Sequence, residues 1–357
     1  MKRILITGAG GPAGVNFTQS LRIVPERMLL VGTEATSYYS SLSSTDRTYV
    51  VPKATACDYI DKINEIVKRE RVGLIHPQPD IEVKVISENR EKFDAKTFLP
   101  SKKTVRICQN KYASAEVWKR KGVPTAKTIE VKNEQTIENA FAELGAPLWI
   151  RAKGGAGGKG STAASNMTTA LSWISYWKSR NKDWEFIAQE YLRGRNIGFH
   201  SLWKNGELVT SMTRERLHYI YPHLAPSGIT GTPAVQRTIH DKNANKVATE
   251  AVLAIDEHFD GIACVDLKEN DEGLPCTTEI NAGRMFTTSF FFSFASSKLL
   301  KNHYANFPYL YVKLAHQEKI PEIPKYNVLP EELYWIRHID TPAKLVKNGR
   351  VVGTMYK

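Results

Sequence analysis

The sequence has 357 residues, enough for two or three packed domains, and its 42% hydrophobic and 24% charged content is that of an ordinary globular protein. The net charge of +12 is scattered without a long basic tract or an RNA-binding motif, so specific nucleic-acid binding is not expected. No apolar run is long enough to cross a bilayer, and the N-terminus shows no signal-peptide pattern. The four cysteines lack zinc-ligand spacing, which predicts reduced thiols and a cytoplasmic location.

The first hundred residues alternate short apolar strands with helical patterns. The predicted strands are 2–7, 28–31 and 72–77, and the predicted helices are 15–22, 58–71 and 80–91. Alternation at this spacing favours a parallel, doubly wound sheet, that is, an α/β domain. We place this first domain at residues 1–105.

A glycine-rich turn, Gly8-Ala9-Gly10-Gly11-Pro12-Ala13, follows the first strand. It fits the GxGxx[GA] dinucleotide-binding pattern, and Glu34 ends the second strand, as in NAD(P)-dependent dehydrogenases or epimerases. The Tyr-x-x-x-Lys motif expected of such an enzyme fails, because Tyr49 to Lys53 contains Pro52, which cannot lie inside a helix. The other interpretation is that the glycines only let the turn pack tightly.

Residues 106–191 form the next predicted unit, which begins with a helix over Asn110–Gly122 and continues with alternating strands and helices. It contains the loop Gly154–Gly160, with five glycines in seven positions. Such a loop costs chain entropy and is best tolerated where backbone wraps a ligand. Three cationic side chains lie in or beside it: Arg151, Lys153 and Lys159. We therefore expect a flexible loop that covers phosphates, and the alternative is a disordered loop.

The remainder of the chain is predicted as strands, an irregular loop at 218–233, a helix at 243–259 and helical structure at 289–317. Within it, two extended runs form a hairpin that holds Asp266, Glu279 and Asn281. Glu279 and Asn281 are two residues apart on one strand and project to the same face, where Asp266 of the neighbouring strand can join them. Few protein oxygens around a hard cation are typical of a magnesium–phosphate site. The alternative is a hairpin with polar residues on its wet face.

These features together resemble the ATP-grasp superfamily, closest to the carbamoyl-phosphate-synthase-like and biotin-carboxylase-like carboxylate ligases, up to about residue 300. The resemblance implies a Rossmann-like pre-ATP-grasp domain at 1–105 and a two-lobed, α+β ATP-binding part. The small central lobe would be 106–191 and the C-terminal lobe 192–320, with a C-terminal extension at 321–357. The glycine turn of the first domain would then be scaffold, because that domain usually binds no NAD.

The resemblance also assigns roles to residues. It implies that Asp266, Glu279 and Asn281 bind Mg²⁺, and that Arg284, Lys111 and Arg151 are the catalytic cations. The implied ATP-binding residues are Lys111, Arg151, Lys153, Gly154, Gly155, Gly157, Gly158, Lys159, Gly160, Gln189, Glu190, Tyr191, Leu192 and Asn196. Asn196 departs from the family, where many members carry a ribose-binding Glu.

The implied activity is an ATP- and Mg²⁺-dependent ligase. It would activate a carboxylate as an acyl phosphate, join it to an amine or a similar nucleophile, and release ADP and phosphate. For the substrate pocket we expect Arg214 and Arg216 to hold a carboxylate, with Asp80 and Glu82 facing the cleft. A homo-oligomer is compatible with these features. The alternatives are an NAD(P)-dependent dehydrogenase or epimerase and a non-catalytic nucleotide-binding protein.

Overall fold

The computed structural model describes residues 1–155, 158–339 and 344–354, and within these ranges the strands form three sheets. The first sheet has five parallel strands in the order β3-β2-β1-β4-β5. Its strands are β1 (Lys2–Thr7), β2 (Met28–Glu34), β3 (Arg47–Val50), β4 (Leu74–His76) and β5 (Lys96–Thr97). Its helices are α1 (Pro12–Arg22), α2 (Ser37–Ser40), α3 (Tyr59–Glu70) and α4 (Asp80–Glu88), and the 3-10 turn Arg90–Lys92 follows α4.

The central strand of this sheet is buried on both faces, as expected when helices cover both sides of a parallel sheet. Ile4 and Ile6 pack into one hydrophobic cluster with Phe17 of α1, whereas Leu5 packs into another cluster with Ile63 of α3. Successive side chains of a strand point to opposite faces, so three adjacent apolar residues serve two cores. The predicted α/β fold class is confirmed.

The second sheet has four strands in the order β6-β9-β7-β8, paired antiparallel. They are β6 (Thr128–Val131), β7 (Leu148–Ala152), β8 (Thr162–Ala164) and β9 (Phe186–Glu190). Helices α5 (Lys102–Cys108) and α6 (Lys111–Lys121) precede this unit, and α7 (Glu134–Leu144) and α8 (Met167–Arg180) pack on it. We refer to the four-stranded sheet with α7 and α8 as the small lobe.

The third sheet has eight strands in the order β14-β13-β10-β11-β12-β15-β16-β17. They are β10 (Asn196–Lys204), β11 (Glu207–Tyr219), β12 (Pro233–Ile239), β13 (Gly261–Glu269), β14 (Pro275–Ala282), β15 (Leu333–Ile336), β16 (Lys344–Lys347) and β17 (Arg350–Thr354). The helical elements that follow β11 in the chain are the 3-10 turn Pro222–Leu224, α9 (Lys242–Ile255), α10 (Ser289–Ala295), the π-helical Ser296–Leu300 and α11 (Phe307–Ala315).

The two faces of this large sheet differ in chemistry. One face presents Phe199, Val265 and Ile280 to α6 and α9, in a cluster that includes Trp118 and Ala248. The opposite face carries the alternate residues and turns toward the small lobe, where it forms one wall of a cleft. In the described part of the chain, no helix is both long and apolar enough to cross a membrane.

The segment predicted as helical, 289–317, is helical in two parts separated by a break. The chain breaks after Leu300, where Lys301 adopts a positive φ of 54°, and a new helix begins at Phe307. Asn306 caps this helix through its side chain, and Pro308 lies at its first turn, where a missing N–H costs nothing. The segment predicted as an extension, 321–357, adds β15 to β17 to the edge of the large sheet. The domain boundaries themselves stay predictions.

Candidate active site

The two carboxylates of the proposed metal site lie directly opposite each other on neighbouring strands. In the register of β13 and β14, Asp266 pairs with Glu279 and Cys264 pairs with Asn281. Asn281 donates from Nδ2 to Asp266 Oδ2 at 3.4 Å. The structure therefore brings all three predicted ligands together on the cleft face of the large sheet.

The two carboxylates have opposite electrostatic surroundings. Burial raises the pKa of Asp266, and the nearby charge of Glu279 raises it further, although an ion pair with Arg216 opposes both. Burial alone would also raise the pKa of Glu279, but the charges of Arg151 and Lys111 outweigh it and the pKa is lowered. One carboxylate of the pair is thus firmly ionised, and the other is costly to ionise until more positive charge arrives.

Two cations reach Glu279 from outside the large sheet. Arg151, at the end of β7 in the small lobe, donates from Nη2 to Glu279 Oε2 at 2.6 Å. Lys111, the first residue of α6, lies 3.4 Å from the same oxygen and donates to the carbonyl of Gly155 at 2.7 Å. The Lys111 amide also donates to the carbonyl of Lys153 at 2.9 Å. The start of α6, the end of β7 and the glycine loop are thereby tied to one carboxylate.

Arg284 joins the site to the first domain. Gly283, whose φ is +79°, turns the chain out of β14, and the Arg284 side chain donates from Nη2 to Asn281 Oδ1 at 2.5 Å. Its Nε forms an ion pair with Asp80, at the start of α4. Asp80 lines the second cavity beside the glycine loop and reaches the site through Arg284, so its contact with a substrate stays a prediction.

The prediction that Glu82 also faces the cleft is wrong. Glu82 is 8% exposed, and Tyr59 donates its hydroxyl to Glu82 Oε1 at 2.9 Å within the first domain. Residues two apart on a helix point in different directions, so Asp80 and Glu82 cannot share one face of α4. Burial raises the pKa of Glu82.

Glycines in the loop allow close contacts that side chains would prevent. Gly158 has φ +71°, and a methyl group there would lie 2.6 Å from the carbonyl oxygen of Ile229. At Gly160, with φ +77°, a methyl group would lie 2.6 Å from the Trp184 ring. Gly155 also has a positive φ, +89°, but open space around it, and Gly154 meets only the carbonyl of Gln109, at 3.8 Å. Gly157 lies outside the described residues.

The two lysines of the loop have partners other than a nucleotide. Lys153 forms ion pairs with Glu130 and, at 3.3 Å, with Glu185. The Lys159 ammonium lies 5.8 Å from the ring centroids of both Trp177 and Trp184. Both lysines line a second, open cavity beside the loop, on the far side of Glu279 from the main cleft.

Residues 189–192, part of the ATP-binding set that the resemblance implies, line the main cleft together with Trp149 and Lys268. Glu190 Oε1 accepts a hydrogen bond from the Lys127 amide at 2.8 Å, and Gln189 donates to Thr128 at 2.8 Å. Tyr191 packs 6.1 Å from Trp149, and Leu192 is buried. Aromatic and aliphatic walls with backbone polar groups between them suit a flat heterocycle.

Asn196 and Arg216 are already engaged with each other. Arg216 donates to Asn196 Oδ1 at 2.7 Å and pairs with Asp266, and Asn196 donates to the Tyr219 hydroxyl at 3.0 Å. Asn196 thus holds Arg216 in place instead of presenting a free amide to a ribose. The expected clamp of Arg214 and Arg216 on one carboxylate is also not formed, because Arg216 has a carboxylate of this chain as its partner.

Sequence reasoning missed the role of His200, which accepts a hydrogen bond from Arg214 Nε at 2.7 Å. Arg214 is 2% exposed and also donates to Thr288 at 2.7 Å. The signal was present in the period of two on β10, because Asn196, Gly198 and His200 share the cleft face.

The glycine turn of the first domain is closed to ligands by its own chain. The Gly10 amide donates to Glu34 Oε1 at 2.8 Å, so the acidic side chain at the end of the second strand occupies the turn itself. A methyl group at Gly10 would lie 1.7 Å from the carbonyl oxygen of Tyr39. These contacts favour the interpretation in which the glycines serve packing, and they weaken the NAD(P) alternative.

The donor set fits a magnesium ion that keeps other sites for phosphate and water. Among the described residues, no three His, Cys, Asp or Glu side chains gather in a way that could hold a metal. The candidate set is two carboxylates and one amide, and the opposed pair Asp266 and Glu279 calls for positive charge between them.

Comparison with known proteins supports the same architecture. Residues 4–99 match the family model of the PylC-like N-terminal domain. The chain is 27% identical over 152 residues to a phosphoribosylamine–glycine ligase of Lactococcus lactis, a match that spans 42% of this chain and 36% of that protein. It is 26% identical over 223 residues to D-alanine–D-alanine ligase B of Clostridium perfringens, spanning 60% of this chain and 70% of that protein. The first match thus spans little more than a third of its curated relative.

Solved structures share the fold across nearly the whole chain. N5-carboxyaminoimidazole synthetase from Staphylococcus aureus, complexed with ADP, superposes with a TM-score of 0.68 at 16% identity, covering 94% of this chain and 82% of that one. The biotin carboxylase domain of the Hydrogenobacter thermophilus 2-oxoglutarate carboxylase, solved with MgADP and bicarbonate, superposes with a TM-score of 0.68 at 15% identity, covering 94% and 73%. The chain therefore has the fold of these ATP-grasp structures, and its residues 4–99 are similar to a PylC-like N-terminal domain.

Proposed function

We propose that this protein is an ATP- and Mg²⁺-dependent ligase that activates a carboxylate as an acyl phosphate and joins it to an amine or a similar nucleophile, releasing ADP and phosphate. The observation that carries the proposal is the cluster around Glu279. Two opposed carboxylates on one sheet meet Arg151 of the small lobe, Lys111 of α6 and, through Asn281, Arg284. Relatives and structural neighbours of this chain include ligases and enzymes solved with ADP or MgADP, which supports the same chemistry.

In this proposal, residues 189–192 and Trp149 hold the adenine, and the loop 154–160 covers the phosphates. Asp266, Glu279 and Asn281 would hold the Mg²⁺, which would supply positive charge to neutralise the phosphates. Lys111 and Arg151 now hold Glu279, and they are placed to turn toward phosphate oxygens once that carboxylate has another positive partner. Their long side chains make this exchange a change of rotamer rather than a rearrangement of the backbone.

Arg284 is the proposed stabiliser of the group in transfer. Its guanidinium is anchored by Asp80 and Asn281 on one side, which fixes the remaining donors before any substrate binds. Preorganised donors of this kind stabilise charge that develops in the transition state without reorganisation at the moment of reaction. The closed loop would exclude water, which protects an acyl phosphate from hydrolysis.

We also propose a cytoplasmic location, since all four cysteines are free thiols, as in reducing compartments.

A homo-oligomer is proposed by analogy with the neighbouring biotin carboxylase domain, which was solved as a dimer. Size-exclusion chromatography with light scattering tests it. The proposed units are 1–105, 106–191, 192–320 and 321–357.

The decisive experiment combines binding and turnover. Thermal unfolding is measured with ATP–Mg²⁺ and, separately, with NAD(P), because a ligand specific to the native state raises the melting temperature. ADP release is then measured over a panel of acids with an amine present. Stabilisation by ATP–Mg²⁺ with acid-dependent ADP release is expected. Stabilisation by NAD(P) alone would revive the dehydrogenase alternative, and ATP binding without turnover on any acid would favour a non-catalytic nucleotide-binding protein.

A further inference from the structure

Arg214 differs from the other arginines that line the main cleft. Those arginines have carboxylate partners within this chain: Arg151 pairs with Glu279, Arg216 with Asp266 and Arg284 with Asp80. In residues 1–155, 158–339 and 344–354, no carboxylate forms an ion pair with Arg214. Burying a cation without a counter-charge costs free energy of folding. Such a cation is therefore expected where a ligand supplies the anion.

The surroundings of Arg214 hold it in place without neutralising it. Its Nε donates to His200 Nε2 and its Nη1 donates to Thr288 Oγ1, both at 2.7 Å. The guanidinium carbon lies 5.8 Å from the centroid of the Phe286 ring, on which His200 stacks at 3.8 Å. Burial lowers the pKa of Arg214, and the positive charges of Arg216 and Arg337 lower it further, although the negative charge of Asp266 partly opposes them. An incoming anion would relieve this cost.

His200 holds the guanidinium from one side and stays neutral. Because its Nε2 accepts from Arg214, the ring proton is placed on Nδ1, and burial keeps the ring neutral by lowering its pKa. Nδ1 is buried and has no hydrogen-bond partner within the described residues. Arg214 Nη2 likewise makes no hydrogen bond within them, and both side chains line the cleft. Arg214 Nη2 is the donor left for an anion in the cleft, since the Nδ1–H bond of His200 points away from the guanidinium across the imidazole ring.

The register of the sheet separates this position from the proposed metal site. Arg214 pairs with Gly198, Gly198 with Asp266 and Asp266 with Glu279, in one row across four strands. At about 4.8 Å between strands, the Arg214 backbone lies about 10 Å from that of Asp266 and about 14 Å from that of Glu279. Arg216, two residues further along β11, already occupies the position beside Asp266, and the Arg214 side chain turns toward His200 instead.

The glycine in this row keeps the space open. A methyl group at Gly198 would lie 3.0 Å from Arg216 Nη2 and 3.2 Å from His200 Nε2. With glycine there, Arg216 can reach Asp266 while Arg214 turns away from it toward His200. On one side of Gly198, Arg216 has Asp266 as its counter-charge. On the other side, Arg214 has no carboxylate partner among the described residues.

We propose that the acid substrate carries a second carboxylate, which binds Arg214 while the first is activated. This inference rests on the proposed ligase function and narrows its substrate to dicarboxylic acids, including acidic amino acids. Arg214 is then a specificity-determining residue, with His200 and Thr288 as positioning residues on one side of it.

The test compares acids of equal length with and without the second carboxylate, such as glutarate against pentanoate and glutamate against 2-aminopentanoate. ADP release by the wild-type protein is expected to favour the dicarboxylate by about 100-fold in kcat/KM, because a monoacid leaves Arg214 buried and unpaired. Arg214→Met should lower kcat/KM for the dicarboxylate by a similar factor, leave the monoacid within about threefold, and leave the KM for ATP unchanged. Arg180→Met, which removes an exposed positive charge on α8, serves as the matched control.

The inference is overturned if the preferred acid bears a single carboxylate, if no acid in the panel is bound, or if Arg214→Met lowers both activities equally. The wild-type comparison needs no variant, and Arg214→Lys, which keeps the charge but not the planar fork, covers the case in which Arg214→Met fails to fold. Failure of the ligase proposal would look different, since ATP–Mg²⁺ would then not raise the melting temperature or no acid would release ADP.

Discussion

Arg151 and Glu279, 128 positions apart in the chain, form an ion pair of 2.6 Å that joins the small lobe to the large sheet. Arg151 is 12% exposed and Glu279 is 19% exposed, so little water screens the contact. Lys111 adds a second positive charge at 3.4 Å from the same carboxylate oxygen. This ion pair holds the two walls of the cleft together. A bound metal ion would replace the cations as the partner of Glu279, and phosphates would replace Glu279 as the partner of the cations.

Glu279→Gln is expected to lower ADP release by a factor on the order of 100 to 1,000, because an amide cannot balance Mg²⁺ and two cations. The melting temperature should also fall, since Arg151 and Lys111 would face each other without a counter-charge. Turnover is measured across Mg²⁺ concentrations with Glu250→Gln, on the exposed side of α9, as the control. Unchanged Mg²⁺ dependence would remove Glu279 from the metal site.

Arg284→Ala is expected to cost about 3 kcal/mol of transition-state stabilisation, or about 150-fold in kcat/KM. The loss should fall on kcat rather than on the KM for ATP, because the residue acts on the group in transfer. Steady-state ADP release gives both constants. Arg106→Ala, which removes an exposed pairing with Glu88, is the control. Turnover near that of the wild type would exclude Arg284 from catalysis.

Gly158→Ala should weaken ATP binding more than Gly155→Ala does. Both positions have positive φ, 71° and 89°, so both variants carry backbone strain of about 1 kcal/mol. Only at Gly158 does the new methyl group collide with the carbonyl of Ile229, at 2.6 Å, and displace the loop. We expect at least a tenfold higher KM for ATP in the first variant. Equal effects in the two variants would show that the contact with Ile229 has no part in closing the loop.

Glu82 is expected to make stability depend on pH. Burial raises its folded-state pKa above the ordinary value of 4.5, so the folded state binds this proton more tightly than the unfolded state does. The resulting stability is fully present below pH 4.5 and is lost as the pH rises through the raised value. Glu82→Gln should remove this part of the pH dependence of the free energy of unfolding, as followed by urea denaturation from pH 4 to pH 8.

The exposed residue Glu143, substituted by Gln in the same way, serves as the control and should leave the pH profile unchanged. An unaltered profile in Glu82→Gln would show that this carboxylate titrates normally in the folded protein.

The features of the fold that could be predicted from the sequence are those set by patterns within a few neighbouring residues. Alternation along 261–282 correctly put Asp266, Glu279 and Asn281 on one face, because the period of two is a property of any strand. The alternating strands and helices of the first domain were predictable for the same reason. The break within the helical segment 289–317 was not predictable, since apolar composition persists through it and only Lys301 and the cap at Asn306 mark it.

The sequence by itself determined the fold class, the shared face of Asp266, Glu279 and Asn281, and the glycine loop, since these depend on local periodicity and on chain entropy. Tertiary structure alone decided which charges meet. It put Asp80 on Arg284 and Glu82 in the first core, closed the Gly10 turn with Glu34, and left Arg214 beside His200 without a carboxylate. Such pairings join distant segments, and their energies depend on burial and distance, which no short stretch of sequence specifies.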